Sequence, residues 1–236
     1  MFGKEFTQNA GFVQIPPQDL NDAAVDSEYF FMGNYPHATV YIMTGDTVGG
    51  TFVITLNEAT DNAGTGEQAL TYTNLRSTGQ KLIINTVSGT FSVGETITGG
   101  TSGLTAELYR ASADYMLVRC LTGGTTWTDT ETLTGGTSGA TAVMDGTGQD
   151  EDILLPTYTA PSSTFTVPAV TFKTYAIEVD AESLTTADGY DHFQVALTDP
   201  GAGAIAAGCI IGSGSRGRGV PMPSMLQAQK LVATSA

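Results

Sequence analysis

Two histidines and two cysteines are the first candidates for chemistry in this chain. His37 and His192 each sit inside an alternating, strand-like run, and Asp191-His192 reads as a surface strand pair. A Ser-His-Asp triad is assembled in space and not along the sequence, so one stays open, but no nucleophile-elbow motif supports it. Cys120 and Cys209 lie far apart and read as two free thiols, because a disulfide framework needs a denser pattern. Spaced Cys and His clusters of the kind that hold a metal are not present. Gly212-Ser213-Gly214-Ser215-Arg216-Gly217 matches G-x-G-x-x-G in letters only. Pro221 and Pro223 follow it and no acid lies downstream, so it reads as the exit from a last strand. Two acidic loops, Asp61 to Glu67 and Asp145 to Asp152, offer oxygen ligands without calcium-loop spacing and read as solvated. Trp127, the single tryptophan, is either an exposed aromatic platform for a sugar or protein, or a core residue. No catalytic residue, metal or cofactor is expected.

These residues must be positioned by strands. Alternation of period two runs through the chain, as in Ala38-Val40-Ile42 and Phe52-Ile54-Leu56, and puts one face on a core. Similar runs occur near 69–74, 80–87, 104–110, 115–121, 171–179, 190–198 and 204–211. Gly45 to Gly50 reads as a hairpin loop between the first two runs. Helix is confined to one turn at Asp180–Leu184 and a short segment from Ser224 to Val232. The fold class is all-β, a β-sandwich or jelly-roll-like core with a small inserted β module and extended termini.

The module contains a repeat. Glu95-Thr-Ile-Thr-Gly-Gly-Thr-Ser-Gly-Leu-Thr-Ala106 returns as Glu131-Thr-Leu-Thr-Gly-Gly-Thr-Ser-Gly-Ala-Thr-Ala142, with Phe91 matching Trp127 upstream. Neither copy can bury its apolar face alone, so the two are expected to pack on each other. The organisation read from this is an N-terminal arm over 1–30, a core over 31–86 and 148–212, an inserted module over 87–147 and a C-terminal tail over 213–236. Gly146 to Asp152 reads as the exit linker of the module.

Charge narrows function. The 236 residues carry a formal net charge of -15, which excludes a phosphate-neutralising nucleic-acid surface. No apolar run approaches the roughly 20 residues of a membrane-spanning helix, and no signal peptide is visible. All 24 acids fall in the first 199 residues, while Arg216, Arg218 and Lys230 make the tail +3 and leave the body at -18. That asymmetry points to a tail that reaches an acidic surface, its own or a neighbour's.

Two stretches carry a resemblance. One is Ala38 to Tyr72, centred on Phe52–Gly66 with Ala59-Thr-Asp-Asn-Ala-Gly-Thr-Gly66. The other runs from Tyr175 through Glu178-Val-Asp-Ala181 and Gly189–Phe193 to Ile211. Together they resemble a family of tailed-phage virion proteins taken as head decoration, or capsid cement, proteins. The Gly-Glu-Thr-Ile-Thr-Gly-Gly-Thr-Ser-Gly repeat is similar to modules found across phage structural proteins, tail components included. The resemblance implies a non-enzymatic protein on the outer surface of the capsid that binds the major capsid protein, stabilises the head and self-associates as a homotrimer. Extended arms can wrap neighbours through main-chain hydrogen bonds, and a lattice multiplies weak contacts. Phe2, Phe6, Phe12, Ile15, Arg216, Arg218, Met222, Met225 and Leu226 are the expected contacts. The alternative is a tail or fibre component with a host-glycan-binding module, motivated by the insert and by Trp127. A third reading is a glycan hydrolase, which would need paired carboxylates in a cleft.

Overall fold

The computed structural model describes residues 11–21, 23–47, 50–121, 126–156, 160–169 and 172–214. It is all-β, as the alternation predicts. The strands are β1 (Gly11–Asp19), β2 (Val25–Asp26), β3 (Phe30–Phe31), β4 (His37–Thr47), β5 (Phe52–Ala59), β6 (Gln68–Ala69), β7 (Asn74–Ser88), β8 (Thr96–Gly99) and β9 (Thr105–Ala111). They continue with β10 (Tyr115–Cys120), β11 (Thr132–Gly135), β12 (Thr141–Met144), β13 (Gln149–Pro156), β14 (Thr164–Val167), β15 (Thr174–Asp180), β16 (His192–Leu197) and β17 (Ala204–Ser213). Two 3-10 turns, Ala181–Ser183 and Thr186–Asp188, follow β15. Among the described residues no helix is long and apolar enough to cross a membrane.

Two sheets face each other across the main core. One has the order β1-β17-β4-β15-β7, and the other β14-β5-β16-β2 with β3 and β6 on its flanks. Ala38, Val40 and Ile42 of β4 and Tyr175, Ile177 and Val179 of β15 point inward. They meet Phe52, Ile54 and Leu56 of β5 and Phe193, Val195 and Leu197 of β16. Each of these triplets is spaced by two, as a half-buried pleated strand requires.

The first sheet continues beyond β7 and closes on itself. β7 pairs β10, then the ladder runs β9, β8, β11 and β12, and β12 returns to pair the far end of β7. This ring is a small barrel filled by a second apolar cluster that includes Leu82, Ile97, Leu108, Met116, Trp127 and Leu133. β7 therefore serves both lobes: Leu75 lies in the sandwich core, and Leu82 and Ile84 lie in the barrel core. The second cluster begins before residue 87, where the repeat gives no signal.

Three sequence readings change. Residues 45–50 do not close a hairpin, because β4 pairs β15 and β17 whereas β5 pairs β14 and β16. The connection crosses from one sheet to the other; period two fixes the face of a strand but not its partner. The exit linker read over Gly146–Asp152 gives way at Gln149 to β13, which runs to Pro156 antiparallel to β7. The N-terminal arm is built into the sandwich from residue 11 on: β1 pairs β17, and β2 and β3 pair β16. The short helix expected at 224–232 lies outside the described residues.

Candidate functional site

The repeat builds a reciprocal clasp. β8 and β11 pair with Thr98 opposite Thr134, Ile97 opposite Gly135 and Gly99 opposite Leu133, so a local two-fold relates the copies. Each copy's glutamate crosses that axis. Glu131 Oε2 accepts from Thr101 N, Ser102 N and Ser102 Oγ at 2.9–3.0 Å, and its Oε1 accepts from Thr128 N at 2.7 Å. Glu95 Oε2 accepts from Thr137 N and Ser138 N at 3.0 and 2.8 Å. Its Oε1 accepts from Ser138 Oγ and Ser92 N at 2.8 and 2.7 Å. Both carboxylates are buried. Burial raises each carboxyl, and the donated hydrogen bonds together outweigh it and hold both below the ordinary glutamate value. The two Gly-Gly turns are tight for the same reason: a Cβ on Gly99 would stand 2.6 Å from Glu131 Oε2, and one on Gly135 2.7 Å from Glu95 Oε1. These glutamates are not among the residues singled out from the sequence. The signal was present, since Glu95 and Glu131 are the sole charged side chains in their twelve-residue copies.

Trp127 is 1% exposed in the barrel core, and its Nε1 donates to Gln80 Oε1 at 2.8 Å. Cys120 Sγ donates to the same oxygen. An exposed platform at Trp127 is thus corrected to a core residue, because the barrel closes over the ring. Phe91 packs against the same cluster from its rim.

At one end of the sandwich, Glu58 ties the two stretches that carry the resemblance. Its buried carboxylate accepts from Gln68 Nε2 at 2.6 Å and from Thr185 N and Oγ1 at 2.8 and 2.6 Å. Tyr190 Oη donates to the Gly66 carbonyl at 2.8 Å. In the Asp61 loop, Asp61 accepts from Ala63 N and from Thr65 N and Oγ1 at 2.7–3.0 Å, which lowers its carboxyl, with the Thr65 amide the first cause. Glu67 accepts from Asn57 Nδ2 and Tyr29 Oη. Asp61 is thus occupied by the loop's own donors, and Glu67 by donors from outside it. Among the described residues no group of three or more His, Cys, Asp or Glu is placed to hold a metal.

His37 Nδ1 lies 2.8 Å from Asp180 Oδ1, and its Nε2 lies 3.4 Å from Thr39 Oγ1. His192 Nδ1 lies 2.6 Å from Asp191 Oδ1, and its ring stacks near Phe31. The first pair spans the neighbouring strands β4 and β15, and the second lies where β16 begins, Asp191 preceding the strand that His192 opens. A shallow cleft of about 350 Å³ between the lobes is lined by Tyr72, Arg119, Leu121, Ser162, Phe165 and Pro168, among others, and, among the described residues, by no carboxylate. Its arginine is committed to Glu107, with Nε and Nη2 at 3.0 and 2.8 Å from Oε2. Cys120 and Cys209 are both free thiols, the first buried and the second half-buried.

The expected contact residues separate. Phe12 is 58% exposed on the edge strand β1. Ile15 is 1% exposed and belongs to the sandwich core, so it is not a surface anchor. The pleat of β1 turns the two residues to opposite faces. Phe2, Phe6, Arg216, Arg218, Met222, Met225 and Leu226 lie outside the described residues.

No protein-family model matches the chain, and no curated protein matches it. Among solved structures, the chain aligns with the structure of infectious bursal disease virus Gx strain at 10% identity and TM-score 0.15, over 96% of this chain and 84% of that one. The Gt strain structure of the same virus gives 10% identity, TM-score 0.14 and the same coverage. The T13 viral particle of that virus gives 11% identity and TM-score 0.12, over 96% of this chain and 46% of that one. At such TM-scores the alignments carry neither a shared architecture nor a shared role.

Proposed function

We propose that this chain is a non-enzymatic structural protein of a phage virion, a capsid decoration or cement protein that binds the major capsid protein on the outer surface of the head. One observation supports this reading most. The two stretches that resemble the decoration family are over a hundred residues apart in sequence, and Glu58, Gln68, Thr185, Tyr190 and Gly66 bind them into one end of the sandwich. They behave as one structural unit, as a shared ancestral fold would require. In that unit Glu58, Asp61 and Glu67 accept from backbone and side-chain donors. In this role a homotrimer multiplies weak contacts with the shell through avidity. Burial of Trp127 removes one of the two features behind a glycan-binding tail component; the inserted module is the other.

The test is quantitative mass spectrometry of purified virions together with a map of the head. Copies in stoichiometric ratio to the major capsid protein, located outside the shell, are expected. A few copies per particle located at the tail would overturn the reading in favour of a tail or fibre component.

A further inference from the structure

The two outer faces of the sandwich differ in chemistry. On the β14-β5-β16 sheet the side chains pointing away from the core include Thr164, Thr166, Thr55, Asn57 and Gln194, an ordinary wet face. On the β1-β17-β4 sheet the outward set includes Phe12, Ile211, Cys209, Ile205, Tyr41 and Met43. Cross-strand register groups them: Phe12 faces Ile211, Cys209 faces Tyr41, and Ala207 faces Met43. Phe12, Met43 and Ile205 are 58%, 47% and 44% exposed. Gln14, opposite Cys209, and Thr39, opposite Ile211, share the face, and an exposed set this rich in large apolar side chains marks a covered or binding face. Acids stand at both ends of it. Glu178 and Asp180 lie on β15 beside Thr39 and His37, and Asp19 lies opposite Ile205.

The chain that follows β17 has the matching order. β17 ends at Ser213, opposite His37, and Gly214 has a left-handed backbone (φ +69) that turns the chain where it leaves the sheet. After it come Arg216 and Arg218, then Val220, Met222, Met225 and Leu226, then Lys230, with no acid. Bases, apolar residues and a base thus follow in the order of the acids, apolar residues and acid met in running back along the face. The apolar patch is ~20 Å long, and extended chain gains ~3.3 Å per residue, so the segment reaches across it with slack.

We propose that residues 215–232 turn back at Gly214 and cover the outer face of β1, β17 and β4 of the same chain. Val220, Met222, Met225 and Leu226 meet Phe12, Ile211, Met43 and Ile205. Arg216 and Arg218 meet the Glu178–Asp180 end, and Lys230 meets Asp19. The same chain is the occupant because its tether holds the segment at an effective concentration on the order of millimolar. The proposal does not rest on the virion reading, and copy number on a head does not bear on it.

Cys209 lies under the proposed contact, while Cys120 is buried against Gln80, so thiol alkylation reports the face. The full chain, a chain ending at Gly214 and the full chain carrying Met225→Glu with Leu226→Glu are compared by the rate of maleimide reaction at Cys209. Both altered proteins are expected to react at least ~10-fold faster than the full chain, equivalent to about 1.4 kcal/mol of docking. The double substitution lies outside the sandwich and decides the matter if the shortened chain fails to fold. Equal rates in the full chain and the double variant would overturn the proposal. Protection of the full chain that grows with protein concentration would overturn it in favour of a neighbouring copy. A chain lacking residues 1–10 that reacts as fast as the double variant would overturn it in favour of the N-terminal segment.

Discussion

The sandwich and the barrel meet the same demand with different means. The sandwich is filled by a broad apolar cluster drawn from both sheets, including Phe52, Phe193, Ile42 and Tyr175. The barrel has a far smaller cluster built on short strands. It adds two buried carboxylates, each gathering four donors, and each belonging to one repeat copy while holding the turn of the other. Small β lobes bury too little apolar surface to be stable by packing alone. The clasp supplies charge-assisted hydrogen bonds instead, and it makes each copy incomplete without its partner.

The strongest break in this comparison is a core truncation in each lobe. Phe193→Ala and Trp127→Ala should each cost about 3–5 kcal/mol. Hydrogen exchange should show Trp127→Ala releasing the amides of β8 and β11 first, with β4 and β17 still protected. Equal loss in all four strands would mean that the lobes unfold as one, and the contrast would disappear. Next, Gly99→Ala and Gly135→Ala should each cost up to about 3 kcal/mol by forcing a Cβ against the clasping glutamate, read as a lowered urea midpoint.

Replacing the clasp itself is expected to cost slightly less. Glu131→Gln and Glu95→Gln should each lose about 2 kcal/mol, since one amide oxygen cannot accept from all four donors. The two-fold predicts that the two costs agree within about 0.5 kcal/mol; a larger gap would show that the copies are not equivalent. The same groups set a pH dependence. Their folded pKa values are held below the ordinary one, so their contribution is complete above pH ~4.3 and falls away as pH drops through the folded values. The protection of the Thr101, Ser102, Thr137 and Ser138 amides, relative to their intrinsic exchange at each pH, should fall in that acid range. The smallest effect is expected on the wet face, where Thr55→Lys should change stability by no more than about 0.5 kcal/mol in thermal melts.

Much of this was legible in the residues. Alternation at Phe52-Ile54-Leu56 and Ala38-Val40-Ile42 gave both the class and the inward faces, and the repeat gave the pairing of β8 with β11. Barrel closure was not legible, because the return of β12 to β7 depends on register across some sixty residues and leaves no local mark. The crossing at 45–50 was misread as a hairpin for a related reason: Gly-rich turns serve either connection. Residues 1–30 show no clean periodicity, so the opposite faces of Phe12 and Ile15 follow from the pleat of β1 and not from the sequence pattern. Trp127 was ambiguous because an aromatic beside Thr and Gly suits a platform as well as a core. The clasp forms no acidic cluster in the sequence: Glu95 and Glu131 matter by being alone in their copies.

β7 has a mechanical consequence. It runs from Asn74 to Ser88, about 50 Å of chain at ~3.3 Å per residue, with its buried face switching between Gly79 and Gln80 and a bulge opposite β12 where Thr86 takes a left-handed backbone (φ +48). Its first part is laddered to β15 and its last to β12, with β10 and β13 between. A load applied to the barrel therefore enters the sandwich along a strand axis, as shear shared by many parallel backbone bonds, and not as peeling at a hinge. The two lobes act as one lever.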